Sequence, residues 1–318
     1  MAKNEKILVI KHGALGDILQ GFDAFASLRA HFADAHIAVL TTSAFAGLLS
    51  ASGWFDEVLI DRRKPVWHLM SAYRTLSYLR AGWTQIIDMQ CSRRTAHYAR
   101  FAPASARWFG TAASASDRLP DFTGVNNTDR MLITAKLAGA PPKSAALDWM
   151  MSSAMPEQAV HLAPHSYAVL FAGCSLAKPQ KRWPAEKFSQ IARFATESGI
   201  TAVLAGTNDD RSANDDVKRH FPNVLDLTAQ TDLMSLARLL ASARFVIGND
   251  TGPVFMAATC GVPTLMVMGE DTNPEMSAPV GAQADYLRHI PLSDLSPDKV
   301  ITRLRKMASI DMNKIGTK

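Results

Sequence analysis

The chain is short of cysteine: Cys91, Cys174 and Cys260 are odd in number and far apart in the 318 residues. They form no metal-ligand pattern, and their free spacing fits a reducing cytoplasm. No apolar run reaches the roughly 20 residues that a membrane-spanning helix requires. The opening "MAKNEKILVIKHGALGD" pairs basic residues with a short apolar run, but Gly13 and Gly16 break that run and no small-residue cleavage site follows. It therefore reads as a first strand, not as a signal peptide. Short-period repeats and low-complexity tracts are also missing. The first Gly-containing turn is not G-x-G-x-x-G, and "IAVLTTSAF" lacks the acidic residue that would hold a dinucleotide ribose, which disfavours NAD. What is there is 47% hydrophobic and 20% charged, the composition of a soluble globular protein. At this length one ordinary core is exceeded, and two domains are expected.

Charge is unevenly placed. Residues 1–150 carry 17 Lys and Arg against 12 Asp and Glu, whereas residues 151–318 carry 17 against 17, so the net +5 lies wholly in the first half. Its clusters are "DRRKP" (61–65) and "SRRTAHYARF" (92–101). Either these form a solvated face, or the first domain meets a polyanion: an acidic substrate, a membrane surface or a nucleic acid. No stacking motif or nucleic-acid-binding module accompanies them, which leaves nucleic acid the weakest of the three.

Short β-rich runs alternate with helical periods along the whole chain. "KILVI" (6–10) precedes Leu15, Ile18, Leu19, Phe22, Phe25, Leu28 and Phe32, spaced three or four apart on one helix face. Strands are predicted at 37–40, 57–60, 85–89 and 106–110, with helices near 66–81, 92–102 and 128–139. The pattern restarts with strands at 168–172, 201–205, 223–226, 244–248 and 264–269, and helices near 184–198, 209–220, 231–242 and 253–260. Ser296 and Pro297 start a last helix over 296–308. Such alternation gives parallel sheets flanked by helices. The Ala-, Ser- and Pro-rich stretch 141–166 breaks the period, which places the boundary near residue 160: domains 1–160 and 161–318.

Three stretches carry chemistry. "KHGALGDILQG" (11–21) is the turn after the first strand, where a doubly wound sheet binds ligands. Asp17 there is either a helix-capping carboxylate, stabilised by the macrodipole, or a general base at the mouth of an interdomain cleft. In "FAGCSLAKPQKRWPAEKF" (171–188), a strand ends in Gly173, Cys174 and Ser175 and a loop bearing Lys181 and Arg182 follows. "GNDTGP" (248–253) ends a strand and opens a helix at Asp250, Thr251, Gly252 and Pro253. That is a tight turn, or an anion site built on free backbone N–H groups at a helix start. All three stretches fall at carboxyl ends of strands, as a cleft for a sugar nucleotide would require.

These stretches, together with "MAATCGVPTLMVMG" and "LDLTAQTDLMSLARLLASARFVIGNDTGP" (225–253), resemble the ADP-heptose:lipopolysaccharide heptosyltransferase family, glycosyltransferase family 9. The likeness runs through both halves in the family's order. It implies a GT-B fold: α/β, two Rossmann-like doubly wound domains facing a cleft, with the C-terminal helix packing back toward the first. It also implies a metal-independent, inverting transfer of a heptose or related sugar from an ADP-sugar to an acidic lipopolysaccharide core, with no cofactor. By the same resemblance, Asp17 is the base, and Lys181 stabilises the departing ADP. Gly173, Cys174, Ser175, Arg182, Asp250, Thr251, Gly252 and Pro253 hold the donor, with Asn208 and Thr231 at the nucleoside. The basic excess of the first half makes Arg62, Arg63 and Lys64, with Gly16, the residues expected to hold the acidic acceptor. Phe255 stands where family members commonly carry a His. The partners implied are a nucleotide sugar, an acidic lipid-linked saccharide and the inner face of the inner membrane, for a cytoplasmic protein in peripheral contact with it. Rival readings on the same fold are a sugar-nucleotide epimerase and a non-catalytic sugar-nucleotide or lipopolysaccharide binder.

Overall fold

The computed structural model describes residues 5–65 and 67–310. The chain divides into two compact units, Met1–Trp149 and Met150–Lys318. The first runs β1 (Lys6–Ile10), α1 (Leu15–Leu19), α2 (Phe22–His31), β2 (His36–Thr41), α3 (Ser43–Ala51), β3 (Glu57–Ile60), α4 (Leu69–Leu79), β4 (Gln85–Asp88), α5 (Arg93–Tyr98), β5 (Arg107–Gly110), β6 (Asp117–Arg118) and α6 (Asn127–Leu137). Its strands are all parallel, in the order β3-β2-β1-β4-β5-β6. Ile7, Leu8, Val9 and Ile10 are fully buried, because a central parallel strand is covered by helices on both faces. On one of those faces Leu8, Ile10, Leu40, Leu59, Ile86 and Trp108 form a core closed by Leu79 of α4.

After the short α7 (Asp148–Met151), the second unit runs β7 (Tyr167–Phe171), α8 (Ala185–Glu197), β8 (Thr201–Leu204), α9 (Arg211–His220), β9 (Leu225–Asp226), α10 (Leu233–Ala241), β10 (Phe245–Asn249), α11 (Gly252–Thr259), β11 (Thr264–Met268), α12 (Pro274–Ser277), β12 (Ala284–Arg288) and α13 (Pro297–Ala308). The sheet is again parallel, in the order β12-β11-β10-β7-β8-β9. Counted from its own first strand, each sheet has the doubly wound order 3-2-1-4-5-6. The order reverses between β1 and β4 in one unit and between β7 and β10 in the other. Ligands of such sheets bind outside the carboxyl ends at that reversal.

Several elements differ from the sequence pattern. The helix predicted from Leu15 to Phe32 is two helices, since α1 closes at Gln20 and Gly21 opens α2. The strand expected at 223–226 shrinks to Leu225–Asp226, and α3, β6 and β12 are additional. Of the helix expected over 66–81, Val66 lies outside the described residues and α4 starts at Leu69. The apolar face of α13, Val300, Leu304 and Ala308, is buried in the second unit's core, packed on α8.

Candidate active site

In the first unit, Gly13 makes the turn out of β1. Its φ of +125° disfavours any side chain, and a Cβ there would lie 2.3 Å from Phe45 Cε2. The tightened turn brings Asp17 into the first turn of α1, where Oδ2 accepts the Ala14 N–H at 3.2 Å. The capping role is thus real. Oδ1 accepts from Asn127 Nδ2 at 3.0 Å, and Asn127 Oδ1 accepts from Arg130 Nη2 at 2.7 Å. These bonds fix the carboxylate's orientation, and each oxygen keeps a further lone pair free to accept a donor. Lys11 is buried, with Nζ 3.3 Å from Met89 O as its donor contact. Burial pulls its pKa down, and the negative charge of Asp17 opposes that shift.

A second group anchors the basic loop after β3. Asp61 is buried. It accepts from Tyr98 Oη at 2.5 Å and from Arg63 N at 2.8 Å, and lies 3.1 Å from His12 Nε2. Burial alone would raise its pKa, but the His12, Tyr98 and Arg63 donors outweigh it and hold the carboxyl well below the usual range. The same bond to Asp61 drives the Tyr98 hydroxyl upward, with burial the larger cause. Arg94 donates to Arg63 O at 3.2 Å and Lys64 O at 3.0 Å. Arg62, Arg63 and Lys64 themselves are exposed, and none is in an ion pair among the described residues. Gly16 is buried within α1.

In the second unit, Lys181 Nζ and Asp250 Oδ2 form an ion pair between the loop after β7 and the start of α11. Thr272, from the loop after β11, donates to the same oxygen at 2.5 Å. Thr251 is the N-cap of α11 in extended geometry, with no side-chain cap bond, and Gly252 and Pro253 are the first helical residues. The N–H groups of that first turn and the Lys181 ammonium therefore sit at one sheet edge, an arrangement that suits an anion. Asn249, buried at the end of β10, staples the edge. Its Oδ1 accepts the Trp183 N–H at 2.8 Å, and its Nδ2 donates to Ala172 O at 2.8 Å and Gly173 O at 3.2 Å.

Gly173 is required by close approach: a Cβ would fall 1.9 Å from Asp210 Oδ1. Asp210 in turn accepts from Thr207 N at 2.8 Å and Thr207 Oγ1 at 3.0 Å. Arg182 Nη2 donates to Cys174 O at 3.2 Å, and burial raises the Cys174 thiol pKa. Ser175 is exposed beside them. Asn208 and Thr231 occupy the loops after β8 and β9, on the same edge, with no hydrogen bond to the Lys181–Asp250 pair among the described residues. Phe255 is buried in α11.

The structure thus joins Lys181 to Asp250 and Arg182 to Cys174. Sequence reasoning missed Asn127, Arg130, His12, Asp61, Asp210, Asn249 and Thr272 as their partners. Asn249 was visible inside "GNDTGP", as a polar residue at the end of an apolar run. Asn127 bonds Asp17 across 110 residues of chain, and no local pattern announces such a contact. Among the described residues, no group of three or more His, Cys, Asp or Glu is placed to hold a metal ion, and no helix is long and apolar enough to cross a membrane.

Comparison with known proteins gives three results. A sequence model described as glycosyltransferase family 9 (heptosyltransferase) matches residues 74–302, well over half of the chain. The lipooligosaccharide heptosyltransferase 2 of Haemophilus ducreyi is 26% identical over 153 residues, 41% of this chain and 44% of that protein, so the aligned part spans less than half of that curated relative. Among solved structures, a glycosyltransferase family 9 protein from Veillonella parvula has TM-score 0.80 at 20% identity, covering 96% of this chain and 98% of its own. An Escherichia coli heptosyltransferase solved with ADP has TM-score 0.78 at 20% identity, covering 95% of this chain and 99% of its own. These structural likenesses establish the fold, two parallel-sheet Rossmann-like domains of the GT-B kind.

Proposed function

Because this chain belongs to glycosyltransferase family 9, the heptosyltransferases, we propose that it moves a heptose or related sugar from an ADP-sugar to an acidic, lipid-linked lipopolysaccharide core. The observation that carries this reading is that Lys181, held by Asp250, stands beside the N-terminus of α11 at the switch point of a doubly wound sheet, where a diphosphate would meet both the ammonium and the helix N–H groups. The first domain takes the acceptor and the second the donor. Arg182, Gly173, Cys174, Ser175, Thr251, Gly252 and Pro253 line the diphosphate, and Asn208 and Thr231 the nucleoside.

The reaction is a single displacement. Asp17 takes the proton of the acceptor hydroxyl while that oxygen attacks the anomeric carbon. The bond from that carbon to the diphosphate breaks, its electron pair leaves with ADP, and configuration inverts. The Lys181 ammonium and the first N–H groups of α11 meet the charge that develops on the leaving group. No metal is required in this scheme. Residues 1–73, which include Asp17 and the basic loop, lie outside the family-model match; what supports Asp17 as the base is the resemblance of its motif, together with a carboxylate held by Ala14 N and Asn127 with lone pairs to spare. The enzyme acts on the cytoplasmic side, in peripheral contact with the membrane that carries the acceptor.

Asp17→Asn should reduce transfer by about 100-fold or more, the usual cost of losing a general base, and leave ADP binding unchanged. Lys181→Ala should weaken turnover and ADP binding together. Thermal shift with ADP, UDP, GDP and NAD should single out ADP, and EDTA should leave the rate unaltered. Full turnover by Asp17→Asn, or rescue of an EDTA-treated enzyme by Mg²⁺, would contradict the scheme.

A further inference from the structure

Trp67, Leu69, Met70 and Tyr73 are 74, 78, 81 and 71% exposed, the four most exposed large hydrophobic side chains among the described residues. They fall within seven consecutive positions. Leu69, Met70 and Tyr73 share one face of α4, while Thr75 and Leu79 on the opposite face are buried. A surface helix ordinarily turns polar residues outward. Here the exposed side chains of the first turns, Leu69, Met70 and Tyr73, are apolar, with Arg74 and Ser77 exposed beside them, and a shallow groove of about 520 Å³ is lined by Met70, Tyr73, Arg74, Ser77 and Tyr78. An apolar concentration of this kind marks a contact surface.

Charge identifies the occupant. From residue 62 to residue 83 the chain carries Arg62, Arg63, Lys64, Arg74 and Arg80, and no Asp or Glu. A second copy of this chain on the same patch would set those cations against their own images, which costs free energy in an isologous contact. An anionic bilayer is complementary to both features: its headgroups attract the cations, and its interface accepts Trp and Tyr rings with the apolar face of a helix beneath them. We propose that Trp67 and the outward face of α4 insert into the surface of an anionic lipid membrane, with Arg62, Arg63, Lys64 and Arg74 against the headgroups. The inference deepens the proposed lipid-linked acceptor, on which it rests for its purpose but not for its occurrence.

The segment is firmly rooted. Asp61 at its base bonds Tyr98 and neighbours His12, and Arg94 holds the carbonyls of Arg63 and Lys64. His12 lies in the turn that leads to Asp17, so docking sets the carboxyl edge of the first sheet at the membrane surface. β3 and β1 are two strands apart, roughly 10 Å.

The test is sedimentation of the full chain with vesicles of phosphatidylcholine alone and of phosphatidylcholine mixed with phosphatidylglycerol. Wild type should pellet with the mixed vesicles and lose binding in high salt. The variant Trp67→Ser/Leu69→Ser/Met70→Ser/Tyr73→Ser should bind them about 10-fold or more weakly, with its circular dichroism melt unchanged. It should keep wild-type kcat and KM on a fully deacylated, soluble acceptor. Wild type left in the supernatant overturns the inference, as does equal binding by the variant. Loss of a concentration-dependent dimer in the variant, without vesicle binding by wild type, would assign the patch to a second copy. A raised KM for the deacylated acceptor would make the patch part of the saccharide site instead. Failure of wild type to use any acceptor while still binding vesicles would count against the transferase reading and leave the docking surface standing.

Discussion

Asp61 shows how far a single residue's role can sit from its local sequence. It opens a basic run, yet its buried carboxylate serves Tyr98, Arg63 N, His12 and, at 3.8 Å, Arg94 rather than the side chains of Arg62, Arg63 and Lys64. Its pKa is held below the ordinary 3.8, so the stability it contributes is complete at neutral pH and is lost only as acid protonates the folded form. Asp61→Asn removes the charge but keeps the shape, and breaking a buried pair costs about 3–5 kcal/mol. The first unfolding transition of the variant should therefore fall by about 5 °C or more at pH 7. The gap to wild type should hold down to about pH 5 and narrow below about pH 4. Melts at pH 7, 5 and 3.5 measure it, and a gap that stays constant throughout would mean the carboxylate gains nothing from its donors.

At the scale of elements, the carboxyl edge of the second sheet depends on Asn249, which ties the end of β10 to the chain leaving β7. Asn249→Ala would leave two carbonyls and one N–H without that partner, each costing about 1–3 kcal/mol if it stays buried. ADP affinity should fall by about 10-fold or more with the loss of stability, whereas Thr251→Ala, whose hydroxyl makes no cap bond, should leave the melt unchanged. Isothermal titration and a thermal melt of each variant separate the two. The central strands were legible in the sequence because parallel strands buried on both faces read as unbroken apolar runs, as in "KILVI" and "RFVIG". β12, "ADYLR", was not: it is an edge strand, half exposed, with no apolar run to mark it. α3, "SAFAGLLSA", has too little polar contrast to show a helical period. In the site, Asp17, Lys181 and Asp250 could be read from motifs at strand ends. Thr272 could not, because its bond to Asp250 depends on how the loop after β11 folds.

For the molecule as a whole, charge is divided by halves, with the excess of +5 confined to residues 1–150. If that excess draws in the acidic acceptor, neutralising Arg62, Arg63 and Lys64 should raise the acceptor KM and spare that of the donor. Screening acts over about 8–10 Å at physiological salt, so added NaCl should weaken acceptor use more in wild type than in the triple variant. Parallel salt dependences would take the cluster out of acceptor recognition. The two sheets also share no strand: the first uses only residues between Lys6 and Arg118, and the second begins at Tyr167. Translation supplies about 5–20 residues per second, so the second sheet, from Tyr167 to Arg288, takes roughly 6–24 s to make. During that interval every strand of the first sheet has already been made, and so have its basic loop and the apolar residues of α4. On the docking proposed for α4, the nascent chain therefore has what it needs to find a membrane before the second sheet is complete.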